Sequence, residues 1–108
     1  MSTDSCLVYM TAGSTAEARL IGEALVAEEL AACVNLIDGM TSLYRWEGQI
    51  RHDTETVLIA KTTERLVVAL TDRVKALHSY ECPCIVALPI GGGSVDFLDW
   101  ISNQVRPL

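Results

Sequence analysis

Three segments, "CLVYM" from Cys6, "VLIA" from Val57 and "IVALPI" from Ile85, carry apolar side chains at nearly every position. Successive side chains of a β-strand point to opposite faces, so each segment sends hydrophobic groups to both sides of any sheet it joins. A chain of 108 residues must then cover two greasy sheet faces. What it has for the purpose is two main helices and a short closing one.

Cys6 to Thr11 reads as the first strand, ended by Gly13. Ser14 and Glu17 have capping-box spacing. Leu20, Ile21, Ala24, Leu25 and Leu30 then recur at helical intervals, with Glu23, Glu28 and Glu29 on the other side. "AACVNLIDGMTSLYRWEGQIRHDTETVLIAKTT" holds two long extended segments, with a bulge or bend expected at Asp38-Gly39 and a hairpin tip at Trp46-Glu47-Gly48. A strand from Gln49 to Thr62 would run about 45 Å, longer than the ~30 Å width of a globule this size, so the hairpin must project. Thr63 to His78 reads as a helix with Val67, Leu70, Val74 and Leu77 on one stripe. Its Glu64, Lys75 and His78 stand where the helix dipole favours them. Cys84 to Ile90 is a further strand, broken by "GGG" at 91–93. From Ser94 a short helix carries Phe97, Leu98, Ile101 and Val105.

The order β-α-β-β-α-β plus a terminal helix predicts one α+β domain over residues 1–108, of ferredoxin-like form. Its antiparallel four-stranded sheet would have both main helices on one face. The other face stays bare, although all three apolar segments feed it. Leaving such a patch wet forgoes about 25 cal/mol per Å², and a patch of this kind marks an interface. The expectation is a closed homo-oligomer in which the overlong hairpin adds strands to a neighbour's sheet.

Charge narrows the partners. With 8 Lys+Arg against 14 Asp+Glu the net charge is -6, and no window gathers basic residues, which excludes nucleic acid held through its phosphates. No stretch approaches the roughly 18 apolar residues of a membrane span, and the acidic start "MSTDSCLVYMTAG" lacks the basic region of a secretory signal. A cytoplasmic protein is expected, with Cys6, Cys33, Cys82 and Cys84 as thiols. A G-x-S-x-G elbow, a P-loop, an H-E-x-x-H helix and a G-x-G-x-x-G turn are all missing, and no enzyme is predicted.

Chemistry concentrates in "LHSYECPCIVALPI", Leu77 to Ile90. His78 can ligate a metal as neutral imidazole, or simply face the helix dipole. Cys82 and Cys84, spaced C-x-C, can serve one soft cation such as Cu(I), together with His78 and the thioether of Met10 if the fold brings them near. They can equally be small hydrophobes at a strand start. Lys61 shares parity with Val57 and Ile59 and needs a partner; Glu81 is the expected one, with Tyr80 beside it as a donor. Tyr44, Trp46 and Trp100 read as packing residues.

Taken in order, A-A-C-V-N, S-x-Y-x-W-E-G, the strand ending in K-T and H-x-Y-E-x-P resemble the CutA family of divalent-cation tolerance proteins, from about Val8 to Ile101. The resemblance implies a homotrimer with extended hairpins completing intersubunit sheets. It implies copper or another divalent cation, no organic cofactor, and a cleft between subunits lined by Trp46, Lys61, His78, Tyr80 and Glu81. In copper-binding members a first-strand cysteine and histidines ending the second helix are implicated; here those positions hold Met10 and, after Leu77, His78. The function expected is a cytosolic trimer for copper tolerance with weak binding at His78, Cys82, Cys84 and Met10. The alternative is a signalling or adaptor trimer whose cleft around Lys61 and Glu81 takes a small anionic ligand or a partner peptide.

Overall fold

The cap predicted at Ser14 forms: its Oγ accepts the Glu17 amide at 3.1 Å. In a computed structural model, which describes residues 4–107, this cap opens helix α1 (Thr15–Ala27) after strand β1 (Ser5–Ala12). The helix ends before Leu30, earlier than the apolar period suggests. Glu29 takes φ 59, Leu30 N–H donates to Leu25 O at 2.9 Å, and Glu29 N–H donates to Val26 O at 3.1 Å. This is a Schellman turn with glutamate at the left-handed position, and it returns Leu30 to the core beside Leu25. The period therefore outlasts the helix that generates it.

Strands β2 (Cys33–Trp46) and β3 (Gln49–Thr63) follow, then a 3-10 turn (Glu64–Leu66), α2 (Val67–Leu77), β4 (Ile85–Pro89) and α3 (Val95–Gln104). The sheet order is β2-β3-β1-β4 with every pair antiparallel, which is the ferredoxin-like βαββαβ arrangement. Register assigns the faces. Val8 pairs with both Ala60 and Ala87, and Met10 with Leu58 and Ile85. Val8, Met10, Leu58 and Ala60 are buried in one cluster with Ile21 and Leu25 of α1 and Leu70 and Val74 of α2. Thr62 joins them by donating to the Leu30 carbonyl at 2.7 Å.

The opposite parity, Leu7, Tyr9, Ile59, Ile37, Val86 and Leu88, forms the second face. Ile37, Val86 and Leu88 remain 52%, 51% and 48% exposed. α3 covers little of it: Ile101 is buried in the main core, while Phe97 and Trp100 stay partly exposed.

The hairpin projects as its length requires, and the subunit measures 46 × 25 × 22 Å. Leu43 and Ile50 near its end are 72% and 73% exposed. Its tip, Glu47 and Gly48, has φ 52 and φ 76, the two left-handed residues of a type I′ turn. A bulge shifts register between Ile37 and Met40, with Gly39 at φ 72. The added residue keeps Met40, Ser42, Tyr44 and Trp46 on the same face as Ile37. The polar outer half of the hairpin thereby continues the second face of the sheet.

Neighbouring positions on α1 test the assignment of faces. Ile21→Ala should cost about 2–5 kcal/mol in denaturant unfolding, since it empties a core site, whereas Leu20→Ala, 54% exposed, should stay within about 0.5 kcal/mol.

Candidate functional site

α2 stops at His78, whose backbone turns extended (φ -79, ψ 143) while its N–H still donates to Val74 O at 2.8 Å. The imidazole folds back under the loop and its side chain is 1% exposed. Nε2 lies 2.7 Å from the Thr11 carbonyl oxygen, and Nδ1 lies 3.0 Å from the Tyr80 amide nitrogen. A carbonyl only accepts and an amide N–H only donates, so Nε2 carries the hydrogen and Nδ1 offers its lone pair. Glu17 Oε2 is 3.8 Å from Nδ1, but Nδ1 is already an acceptor there, and Glu17 instead receives the Ser79 backbone N–H and, at 3.0 Å, the Ser79 hydroxyl. His78 is thus a pin joining the end of α2, β1 and the loop.

Tyr80 leans on the His78 ring, with centroids 4.6 Å apart, and donates its hydroxyl to Glu55 Oε2 at 2.8 Å. It passes directly over Gly13, where a Cβ would meet the phenol oxygen at 3.1 Å. Glu55, only 9% exposed, also accepts from Ser42 Oγ at 2.6 Å, and Tyr44 donates to Asp53 one rung along the hairpin. Burial, then hydrogen bonding to Glu55 and the charge of that carboxylate, push the Tyr80 phenol up. Burial and Glu55 likewise raise the Cys84 thiol.

Together these residues wall a groove of about 700 Å³ on the second sheet face. Tyr9 and Thr11 form its floor from β1; Tyr44, Trp46, Arg51, Asp53 and Glu55 come from the hairpin; Tyr80, Glu81, Cys82 and Cys84 come from the loop before β4. Of the residues singled out from sequence, Trp46, Tyr80, Glu81, Cys82 and Cys84 meet here.

Three expectations need correction. Lys61 pairs in register with Leu7, whereas Thr11 of the groove pairs with Val57, four residues and about 13 Å along the strand. Its Nζ donates to Asn35 Oδ1 at 2.8 Å and stands 5.7 Å from the Phe97 ring centre, so neither Glu81 nor the groove holds it. Met10 is on the helix side, 1% exposed, with the sheet between its sulfur and the two cysteines. His78 has both nitrogens engaged. A metal expected of the family therefore finds neither the His78 imidazole nor the Met10 thioether free to bind it in the groove, and among the described residues no group of three or more His, Cys, Asp or Glu side chains stands ready to hold an ion. Only Cys82 and Cys84 remain as soft donors on the groove wall. The anionic ligand fares no better: Asp53, Glu55 and Glu81 face a single cation, Arg51, which pairs with Glu47 at 3.6 Å.

Glu55, Asp53 and Ser42 are residues that sequence reasoning missed. The available signal was parity, because Asp53 and Glu55 extend the Val57 and Ile59 stripe into polar residues on the same face.

The family model for the CutA1 divalent ion tolerance protein matches residues 6–104. This chain belongs to that family. It is 50% identical to the divalent-cation tolerance protein CutA of Thermus thermophilus, over 91% of this chain and 95% of that protein. It is 43% identical to chloroplastic Protein CutA 1 of Oryza sativa over 94% of its own length, and spans 58% of that relative. Solved CutA1 structures from T. thermophilus and O. sativa superpose with TM-scores of 0.93 and 0.94, at 47% and 42% identity, covering 94% and 97% of this chain and 99% and 96% of theirs. The family and its Thermus thermophilus member are named for tolerance to divalent cations.

Tyr80→Phe removes one hydroxyl donor from the buried Glu55 carboxylate and should cost about 1–2 kcal/mol by urea unfolding near neutral pH. The sign of its pH dependence follows from the raised phenol. Tyr80 contributes fully below its ordinary value of 10.0 and progressively less above it, so the gap between parent and variant should narrow as pH rises past 10.0.

Proposed function

We propose that this CutA1 chain works in divalent-cation tolerance as a cytosolic homotrimer, and that copper is held weakly, by the Cys82 and Cys84 thiols. The observation that carries the assembly is the second sheet face, where Leu7, Tyr9, Ile37, Ile59, Val86 and Leu88 share one side with no main helix over them. A second copy is the natural cover for a face of this composition. β2 and β4 are the two edges of the sheet, and the projecting hairpin can add strands to a neighbour's edge. Cytosolic placement is supported by four thiols, none in a disulfide. Relatives occupy several compartments, the Archaeoglobus fulgidus CutA being described as periplasmic and the rice protein as chloroplastic.

The donors that fit copper are the two thiols, soft ligands on one groove wall with Cys82 exposed. When bound, copper would draw thiolate from them. The raised Cys84 thiol opposes this and keeps the affinity low.

Sedimentation equilibrium at low micromolar protein should give three times the subunit mass. Val86→Asp with Leu88→Asp should shift it toward the single subunit, with helical circular dichroism reporting whether that subunit stays folded. A folded monomer of the parent protein would reject the trimer. Separately, titration calorimetry with Cu(I) under reducing conditions should show saturable binding that Cys82→Ser with Cys84→Ser abolishes and Met10→Leu leaves intact. No binding tighter than about millimolar would reject the copper reading.

A further inference from the structure

The helix side of the sheet has a second groove. Val34 and Leu36 of β2 pair across the ladder with Ala60 and Leu58, which are fully buried, yet they are themselves only half-buried. Two helices do not span four strands, and β2 is an edge. Gly22 brings α1 down against this edge: a Cβ there would meet Val34 Cγ1 at 3.4 Å. Beside that contact runs a groove of about 420 Å³, with Gly22, Val26, Val34 and Leu36 as its floor and Arg19 and Glu23 on its rim. It lies across the sheet from the thiols, so a copy seated on the second face leaves it open.

The rim charges are not spent on each other. Arg19 precedes Glu23 by four residues, the less favourable order for a pair on one helix face, and among the described residues neither side chain joins an ion pair. Both are exposed and both border the groove. A ligand with a single charge is attracted by one of them and repelled by the other. A molecule with both charges satisfies each, and an apolar tail covers a floor that has no polar side chain to be paired. The two arms start one helical turn apart, about 6 Å along the axis, and are long enough to converge on the carboxylate and ammonium of a single α-carbon.

We propose that this groove is a site for a free α-amino acid with a branched aliphatic side chain. Arg19 takes the carboxylate, Glu23 takes the ammonium, and the side chain lies on Val26, Val34 and Leu36. Contacts then come from both α1 and β2, so occupancy ties the edge strand to the helix where the core leaves it half covered. The site is open and its charges are solvated, which sets the affinity at about millimolar. This inference goes beyond the tolerance and copper reading and does not rest on it, since the two sites lie on opposite faces of the sheet.

The test is a titration of the intact, isotope-labelled protein with L-leucine, followed through amide chemical shifts. The expected result is saturable shifts at Gly22, Val26, Val34 and Leu36, half-complete at about millimolar leucine, with Tyr80 and Cys84 unmoved. Arg19→Gln and Glu23→Gln, both at exposed positions, should each weaken binding about two- to fivefold, the size of an exposed ion pair, without disturbing the fold. Isocaproate, which lacks the ammonium, and isoamylamine, which lacks the carboxylate, should bind more weakly by a similar factor. Free glycine, which lacks the tail, should not saturate. The proposal is overturned if no saturable shift appears up to about 50 mM leucine, or if the shifts are confined to the face of Tyr80 and Cys84. Isocaproate binding as tightly as leucine, or binding that both substitutions leave unchanged, would also overturn it.

Discussion

An antiparallel sheet with helices on one face and apolar residues on both is an incomplete object. The residues facing α1 and α2 are satisfied within the chain, since Val8, Met10, Leu58 and Ala60 are buried against Ile21, Leu25, Leu70 and Val74. Their neighbours one position away, Leu7, Tyr9, Ile59, Val86 and Leu88, inherit the other face by strand geometry alone. The hairpin carries the same face outward through Met40, Tyr44 and Trp46, while its exposed Leu43 and Ile50 lie on the opposite parity, that of Leu58 and Ala60. At about 25 cal/mol per Å² this unburied surface is hydrophobic stabilisation that the subunit alone leaves unused.

Where that face becomes polar it becomes a groove, and the bulge at Gly39 decides which residues line it. One added residue keeps Ser42, Tyr44 and Trp46 in line with Ile37, opposite Asp53, Arg51 and Gln49. Without the bulge those side chains would lie on the helix side of the hairpin. The loop after α2 then closes the groove, held by hydrogen bonds to three elements: His78 to Thr11 of β1, Ser79 to Glu17 of α1, and Tyr80 to Glu55 of β3. The family's H-x-Y-E-x-P stretch is a clamp here, its histidine committed to structure.

The sheet and its order were legible because strand and helix periods differ, and because Ser14, Gly39 and Glu47-Gly48 mark their turns by chemistry that local rules describe. The end of α1 was not legible in the same way. Leu30 belongs to the apolar stripe by spacing, but it reaches the core through a Schellman turn at a non-glycine residue, which no local signal announces. The α2 start was similarly blurred by the 3-10 turn at Glu64–Leu66. In the site, residues close in sequence stay close in space: Tyr80, Glu81, Cys82 and Cys84 line one groove from a single loop. Lys61 and Met10 were misplaced because their relation to that loop is set by register and face, long-range properties of strand pairing. Asn35, 26 positions from Lys61, is its partner for the same reason.

The way the groove holds its carboxylates has a further consequence. Glu55 and Asp53 are bound by hydroxyls of Ser42, Tyr80 and Tyr44, which satisfy lone pairs without cancelling charge. The negative field thus persists beside the thiols, which is why Cys84 is raised by Glu55 as well as by burial, and why Tyr80 resists ionisation. Such a field repels small anions and draws cations toward the wall, yet the protonated thiol it favours is the poorer ligand. On the copper reading proposed above, a groove built this way would draw metal by charge and hold it loosely by chemistry, a combination suited to transient contact and unsuited to a resident centre.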